Sequence, residues 1–198
     1  MLCSNCYIPH LCSDCYTNRM TSRDDRRRLL LDRMADHLLA HGLEGASLRP
    51  LAAAAGTSDR MLLYYFADKE ELLTAVLEHV AGRMAGLLAG AGDTPRPYAD
   101  LLREIVGSVR TPAFQPYMHL WIDLAAQAAR GREPFRAVAG RIGDGFLAWI
   151  AGRLRPVEEA GRGREAALLL ATIDGLALLD AVGRGPAADD AMEALPSV

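Results

Sequence analysis

Gly42-Leu-Glu-Gly-Ala-Ser-Leu-Arg-Pro-Leu-Ala-Ala-Ala-Ala-Gly56 runs into Thr57-Ser-Asp-Arg-Met-Leu-Leu-Tyr-Tyr-Phe66 and then Ala67-Asp-Lys-Glu-Glu-Leu72. Ser47 is a favourable N-cap, and Pro50 falls in the first turn, where no intrahelical N–H is lost. Leu48, Leu51, Ala52 and Ala55 recur at helical spacing, and Gly56 can close the helix in a left-handed conformation. A second short helix is predicted over about Asp59 to Tyr65, anchored by Leu62 and Phe66. Small residues at Ala52–Ala55 allow two helices to approach closely, and Gly56 allows the tight turn between them. This is the layout of a helix-turn-helix, whose second helix enters the DNA major groove while the first crosses the backbone. Short Ala-rich helix pairs also serve as plain core, so spacing alone leaves both readings open.

Upstream, Ser22 and Asp25 mark a helix start. Leu30, Leu31, Met34, Leu38 and Leu39 form its apolar stripe, and Gly42 ends it. Downstream, Asp68-Lys69-Glu70-Glu71 reads as a capping box opening a long amphipathic helix to about Ala89, with Leu72, Leu73, Val76, Leu77, Val80, Met84, Leu87 and Leu88. Gly90, Gly92 and Pro95 interrupt the chain. Further helices are expected at about 97–109, 114–130, 134–154 and 163–182.

Composition agrees with an all-α fold. Ala and Leu greatly outnumber Ile and Val, and aromatics are 6% of the 198 residues. Such a mixture favours helices over sheets. Hydrophobic residues at 51% and charged residues at 24% exclude a disordered chain. The longest apolar stretch, Ala166 to Val182, is broken by Asp174 and Asp180, so no run reaches the ~18 residues of a membrane span. With no basic segment leading into an apolar one at the N-terminus, a cytoplasmic location without membrane contact is expected. All but one of the 22 basic residues are Arg, the exception being Lys69. That bias fits a high-GC coding sequence and counsels against weighting any single Arg. The net charge of −3 is uneven: residues 20–69 carry +1 and 70–198 carry −4. A faintly basic front is a weak sign of nucleic-acid contact there.

In fixed register, Gly42 to Leu72 closely resembles the N-terminal domain of TetR-family transcriptional regulators, and the resemblance extends over about residues 26–80. It implies a homodimer of all-helical subunits, each with an N-terminal three-helix DNA-binding domain and a C-terminal helical ligand-binding and dimerisation domain. The corresponding division is a Cys-rich extension at 1–20, the helix-turn-helix domain at 21–67, the regulatory domain at 68–185 and a frayed tail at 186–198.

The resemblance also implies roles for individual residues. Ser47 matches a position that caps the second helix and touches phosphate. Arg49 matches one that reads a base in some members, and an Arg fork suits guanine O6 and N7. Thr57, Ser58, Asp59, Arg60 and Met61 lie at the start of the recognition helix, where Asp59 can accept from a cytosine amine. Tyr64 and Tyr65 match phosphate-contacting positions, and Lys69 matches a Lys that opens the fourth helix. Tyr65 can equally be a packing residue with a wet hydroxyl. Leu63 departs from the family, which commonly has Tyr there, leaving at most an apolar contact with a thymine methyl. Arg26, Arg27 and Arg28 are either phosphate contacts or a solvated helix start offset by Asp24 and Asp25; Arg28 is carried forward as a contact.

Cys3, Cys6, Cys12 and Cys15 form two Cys-x2-Cys pairs. Four thiolates suit tetrahedral zinc, although only five residues separate the pairs. The competing reading is an extension upstream of Met20, which resembles an ordinary start for the family. In the rear half, Met84, Leu88, Tyr117, His119, Trp121 and Asp123 are candidate ligand-pocket residues, because aromatics with a few polar groups suit a pocket between helices. Ordinary core is the alternative for each. Phe146, Trp149, Leu169, Ile173, Asp174 and Leu176 are assigned to a dimer interface. Asp174, amid so many Leu, needs a partner, water or an interface.

The expectation is a DNA-binding transcriptional repressor released from a palindromic operator by a small apolar ligand, with no cofactor required. A metal- or thiol-sensing regulator acting through the Cys pairs is the alternative. Catalysis is not expected: there is no phosphate loop, metal-ligand pattern or nucleophile–base spacing.

Overall fold

The computed structural model describes residues 23–89, 94–156 and 158–194. Ser22 and the four cysteines lie outside them. The described chain folds into α1 (Arg23–His41), α2 (Leu48–Ala55), α3 (Asp59–Tyr65), α4 (Lys69–Ala89), α5 (Tyr98–Val109), α6 (Gln115–Ala129), α7 (Phe135–Arg153), α8 (Arg162–Ala181) and α9 (Gly185–Glu193). Short 3₁₀ turns span Gly42–Gly45 and Glu159–Gly161. Among the described residues there is no strand; a lone β-bridge joins Arg96 to Leu154.

Helix ends follow local chemistry. Gly42 and Gly56 have φ of 64° and 68°, the left-handed region that an L side chain enters only at a cost. The Gly56 N–H bonds back to Ala52 and Ala53 carbonyls, closing α2. Glu71 N–H donates to Asp68 Oδ1 at 2.8 Å, and Glu71 Oε2 accepts from Ala67 N–H at 2.5 Å. The forward bond of the expected capping box therefore forms in register, while its return bond reaches Ala67 rather than Asp68.

Two apolar clusters organise the molecule. The first gathers Leu30, Leu31, Met34 and Leu38 of α1, Leu51 and Ala55 of α2, Leu62, Phe66, and Leu72 to Val80 of α4. It continues into Tyr117, Leu120 and Leu124 of α6 and Val138 of α7, so the apolar packing does not divide at residue 67/68. The second joins Leu101 to Val109 of α5 with Met118, Ile150, Leu154 and the inner stripe of α8. Met84 and Trp121 pack against both. Each fully buried Leu removes enough surface from water to contribute about 1.5–3 kcal/mol.

The tail differs from expectation. Residues 185–193 form α9 with Ala188 buried on the second core. Arg110, at the end of α5, holds it there: its guanidinium donates to Asp180 at 2.8 Å and to Asp189 at 2.6 Å. Only a partner distant in sequence supplies that clamp.

Candidate nucleic-acid interface and inner cavity

α3 is short, so its position depends on its anchors. Leu62 and Phe66 are buried in the first core, while Tyr65 packs at the edge of that core. Ser58 sits at the N-cap, and its hydroxyl accepts from Met61 N–H at 3.3 Å. Asp59 occupies the first turn, where a carboxylate complements the helix dipole. These contacts turn the opposite face outward: Met61, Leu63 and Tyr64 are large apolar or aromatic side chains left exposed, Tyr64 at 61%.

Basic side chains of the same module are also exposed. Arg28, Arg49, Arg60 and Lys69 are exposed, and none pairs with an acid among the described residues. Ser47 stands at the N-cap of α2 without making a side-chain capping bond, so its hydroxyl is uncommitted. Ser47 and Lys69 share the lip of an open groove of about 770 Å³. Thr57 is half-buried in the turn.

Three arginines that the sequence left unassigned, or assigned otherwise, are braces. Arg23 donates to the Tyr64 carbonyl at 3.2 Å and lies 5.2 Å over the Tyr64 ring. Arg33 donates to the Ala55 carbonyl at 3.0 Å, satisfying the end of α2. Arg27 stacks on Phe66 at 4.6 Å and pairs with Glu71 at 3.6 Å, so its charge is engaged within the fold. No pattern in the sequence separates a bracing Arg from a free one.

The rear half corrects several expectations. On α6, Tyr117, Met118, Leu120, Trp121 and Leu124 face inward, whereas His119 and Asp123 are exposed. Residues two apart on a helix point to nearly opposite sides, so Trp121 and Asp123 cannot line one pocket. Asp123 instead reaches the turn after α1, accepting from Leu43 N–H at 3.4 Å. A Cβ at Gly42 would meet its Oδ2 at 2.6 Å.

The dimer assignment also changes. Leu169, Ile173 and Leu176 are buried in the subunit's own second core, so they are unavailable to a partner. Phe146 and Trp149 pack half-buried against the same core. The outward stripe of α8 and its C-cap is Leu168, Leu178 and Val182, exposed at 60%, 51% and 62%.

Asp174 likewise faces inward. Its Oδ1 accepts from Trp121 Nε1 at 3.1 Å, and it lines an inner cavity of about 40 Å³ with Met84, Leu88, Trp121, Phe146 and Trp149. Burial pushes its carboxyl above the usual carboxylate range, and the Trp121 N–H opposes that rise. A neighbouring void of about 30 Å³ is lined by Tyr117, Met84 and Trp121. Both are far below the ~300–1,000 Å³ of a small-molecule pocket, so the expected ligand site is closed.

A three-helix front module presenting an exposed recognition helix, continuous with a larger helical body, defines a helix-turn-helix DNA-binding protein. Residues 31–76 match the family model described as bacterial regulatory proteins, tetR family. Over 178 residues the chain is 32% identical to the HTH-type transcriptional regulator BetI of Burkholderia thailandensis, spanning 85% of this chain and 88% of that one. It is 28% identical to BetI of Rhizobium meliloti over 177 residues, spanning 86% and 85%. Among solved structures, a TetR-family transcriptional regulator from Cytophaga hutchinsonii superposes with a TM-score of 0.69 at 19% identity, covering 88% of this chain and 94% of that one. A transcriptional regulator from Rhodococcus sp. Rha1 gives 0.65 at 24%, covering 83% and 90%. The chain belongs to the tetR family and is a DNA-binding transcriptional regulator. Among the described residues no helix is long and apolar enough to cross a membrane, and no group of His, Cys, Asp and Glu is arranged to hold a metal.

Proposed function

We propose that the protein is a homodimeric, cytoplasmic repressor that leaves a roughly palindromic operator when a small ligand enters its helical body. The observation that carries this reading is α3, which holds Met61, Leu63 and Tyr64 out to solvent while Leu62 and Phe66 anchor it. A seven-residue helix that exposes three such side chains gains little as core and much as a surface for base edges and sugar-phosphate. Arg49 reads a base, with Thr57, Ser58, Asp59, Arg60 and Met61 at the entering end of α3. Arg28, Ser47, Tyr64, Tyr65 and Lys69 meet phosphate, and Leu63 contacts a thymine methyl.

Dimerisation uses the outer faces of α7 and α8. Leu168, Leu178 and Val182 form an apolar stripe that a second subunit would cover in a four-helix bundle. The dimer sets two recognition helices one DNA turn, or a multiple, apart. The ligand acts by favouring a dimer in which that spacing is lost, and the coupling is reciprocal. No cofactor and no catalysis enter this reading. The zinc alternative rests on Cys3, Cys6, Cys12 and Cys15, and nothing among the described residues favours it.

Fluorescence anisotropy against the DNA upstream of the protein's own gene tests the reading. The expected result is dimer binding that is salt-dependent and at least ~10³-fold tighter than to random duplex at matched salt. Equal affinity for both duplexes would overturn operator recognition.

A further inference from the structure

Trp121 and Trp149 are the chain's two tryptophans, and both line the inner cavity between α4 and α8. Asp174 is the one charged side chain in that lining. Among the described residues its sole hydrogen-bond partner is the Trp121 indole, on Oδ1. One neutral donor does not replace the water that a carboxylate loses on burial. The group that restores the balance best is positive and also donates hydrogen bonds.

The unmet hydrogen-bonding capacity of the carboxylate narrows the choice of cation. The Trp149 ring already carries the Arg153 guanidinium at 5.2 Å, and the Trp121 N–H fills only one acceptor position on Asp174. A quaternary ammonium has no N–H and would leave the other acceptor positions unfilled, whereas a protonated amine donates to them. What the cavity offers is a directional acceptor in an apolar lining.

A groove outside lies next to the cavity. It measures about 330 Å³ and runs between α4 and α7, past Gly82, Ala85 and Gly145. Phe146 is the residue that lines both the groove and the cavity. Met84 borders both inner voids, and an unbranched thioether can move to join them.

We propose that the inner cavity takes a small arylalkyl or alkyl amine in its protonated form, its N–H group donating to Asp174 while its apolar part displaces Met84 and Phe146. This deepens the ligand-responsive reading above and rests on it, replacing a wholly apolar ligand with an apolar amine.

Tryptophan emission tests the proposal directly, because both tryptophans line the site. The full-length protein is titrated with benzylamine, benzyl alcohol and benzyltrimethylammonium. Benzylamine is expected to change the emission saturably and to bind about tenfold more tightly than either analogue. Asp174→Asn, with unchanged far-UV dichroism, should abolish that preference. Equal or tighter binding of the alcohol or the quaternary ammonium overturns the proposal, as does a saturable response to none of the three. The wild-type ranking decides by itself should Asp174→Asn fail to fold. Operator binding by the unliganded protein is read separately, so its failure would strike the repressor reading and leave these titrations standing. If benzylamine binds as expected but with equal affinity with and without operator, the site is upheld and its role in induction is lost.

Discussion

The Trp121 indole N–H and the Asp174 carboxylate meet at 3.1 Å, tying α6 to α8 across the inner cavity. Two residues further along α6, on the opposite side, Asp123 accepts from the Leu43 backbone just ahead of the helix-turn-helix. One helix thus touches the cavity with one face and the front module with the other. α4 is the covalent connection between the two, and α6 is a second, non-covalent one.

The half-buried Asp174 carboxylate makes a pH-dependent prediction. Its folded pKa is raised, chiefly by burial, so the folded state holds the Asp174 proton more tightly than the unfolded state does. The penalty is present above the folded pKa and disappears as pH falls through it towards the ordinary carboxylate value. Asp174→Asn keeps an acceptor for Trp121 and removes the charge. It should raise the melting temperature at neutral pH, with the gain over wild type shrinking on acidification. None of the other cavity-lining residues titrates with pH in this range, so a gain independent of pH would assign the effect to packing instead.

DNA contacts separate by salt response. Arg49→Ala should weaken operator binding by about 1–3 kcal/mol and relax preference at one base pair. Lys69→Ala should weaken specific and random duplexes alike and reduce the salt slope by ~1. Titrations at several salt concentrations distinguish them, and wild-type binding by Arg49→Ala would remove Arg49 from base readout.

Assembly depends on which stripe of α8 is changed. Leu168→Arg or Leu178→Arg should give a folded monomer in sedimentation, since both side chains are exposed in the subunit. Leu176→Arg should instead destabilise the subunit by about 3–5 kcal/mol, because it places an unpaired charge in the second core. A dimer that survives both outer substitutions would exclude this face.

Coupling should be sensitive at the junctions. Met84 touches both cores, and Asp123 holds the Gly42–Leu43 turn. Met84→Ala and Asp123→Ala are expected to shift the ligand concentration that releases DNA by several-fold, with a smaller change in unliganded operator affinity. Anisotropy titrations with and without ligand measure both, and equal changes in the two would mean the residues only support the fold.

Ser58 caps the recognition helix, so Ser58→Ala should cost about 0.5–2 kcal/mol of stability. Denaturant unfolding provides the figure, and unchanged stability would show that the 3.3 Å contact contributes nothing.

The sequence by itself determined α1 to α8 and the front module, but not α9. The Asp68 cap, the left-handed glycines 42 and 56, and apolar residues every three or four positions act within one or two turns, so they are legible in one dimension. The sequence reading does not single out the Ser58 cap, and Ser47 makes no side-chain capping bond. The stripe Leu30, Leu31, Met34 and Leu38, and the anchors Leu62 and Phe66, were readable for the same reason.

Tertiary structure decided which face of an ambiguous helix is inside. α8 is apolar nearly all round, so its periodicity could not say whether Leu169 and Ile173 or Leu168 and Leu178 met the core; packing against α5 and α7 chose the former. It also chose partners for charges, sending Asp174 to Trp121, Asp123 to Leu43, Arg110 to Asp180 and Asp189, and Arg23, Arg27 and Arg33 to the front module. Hydrogen bonds and ion pairs act over about 3–4 Å between residues tens of positions apart, so they exist only once the chain has closed on itself.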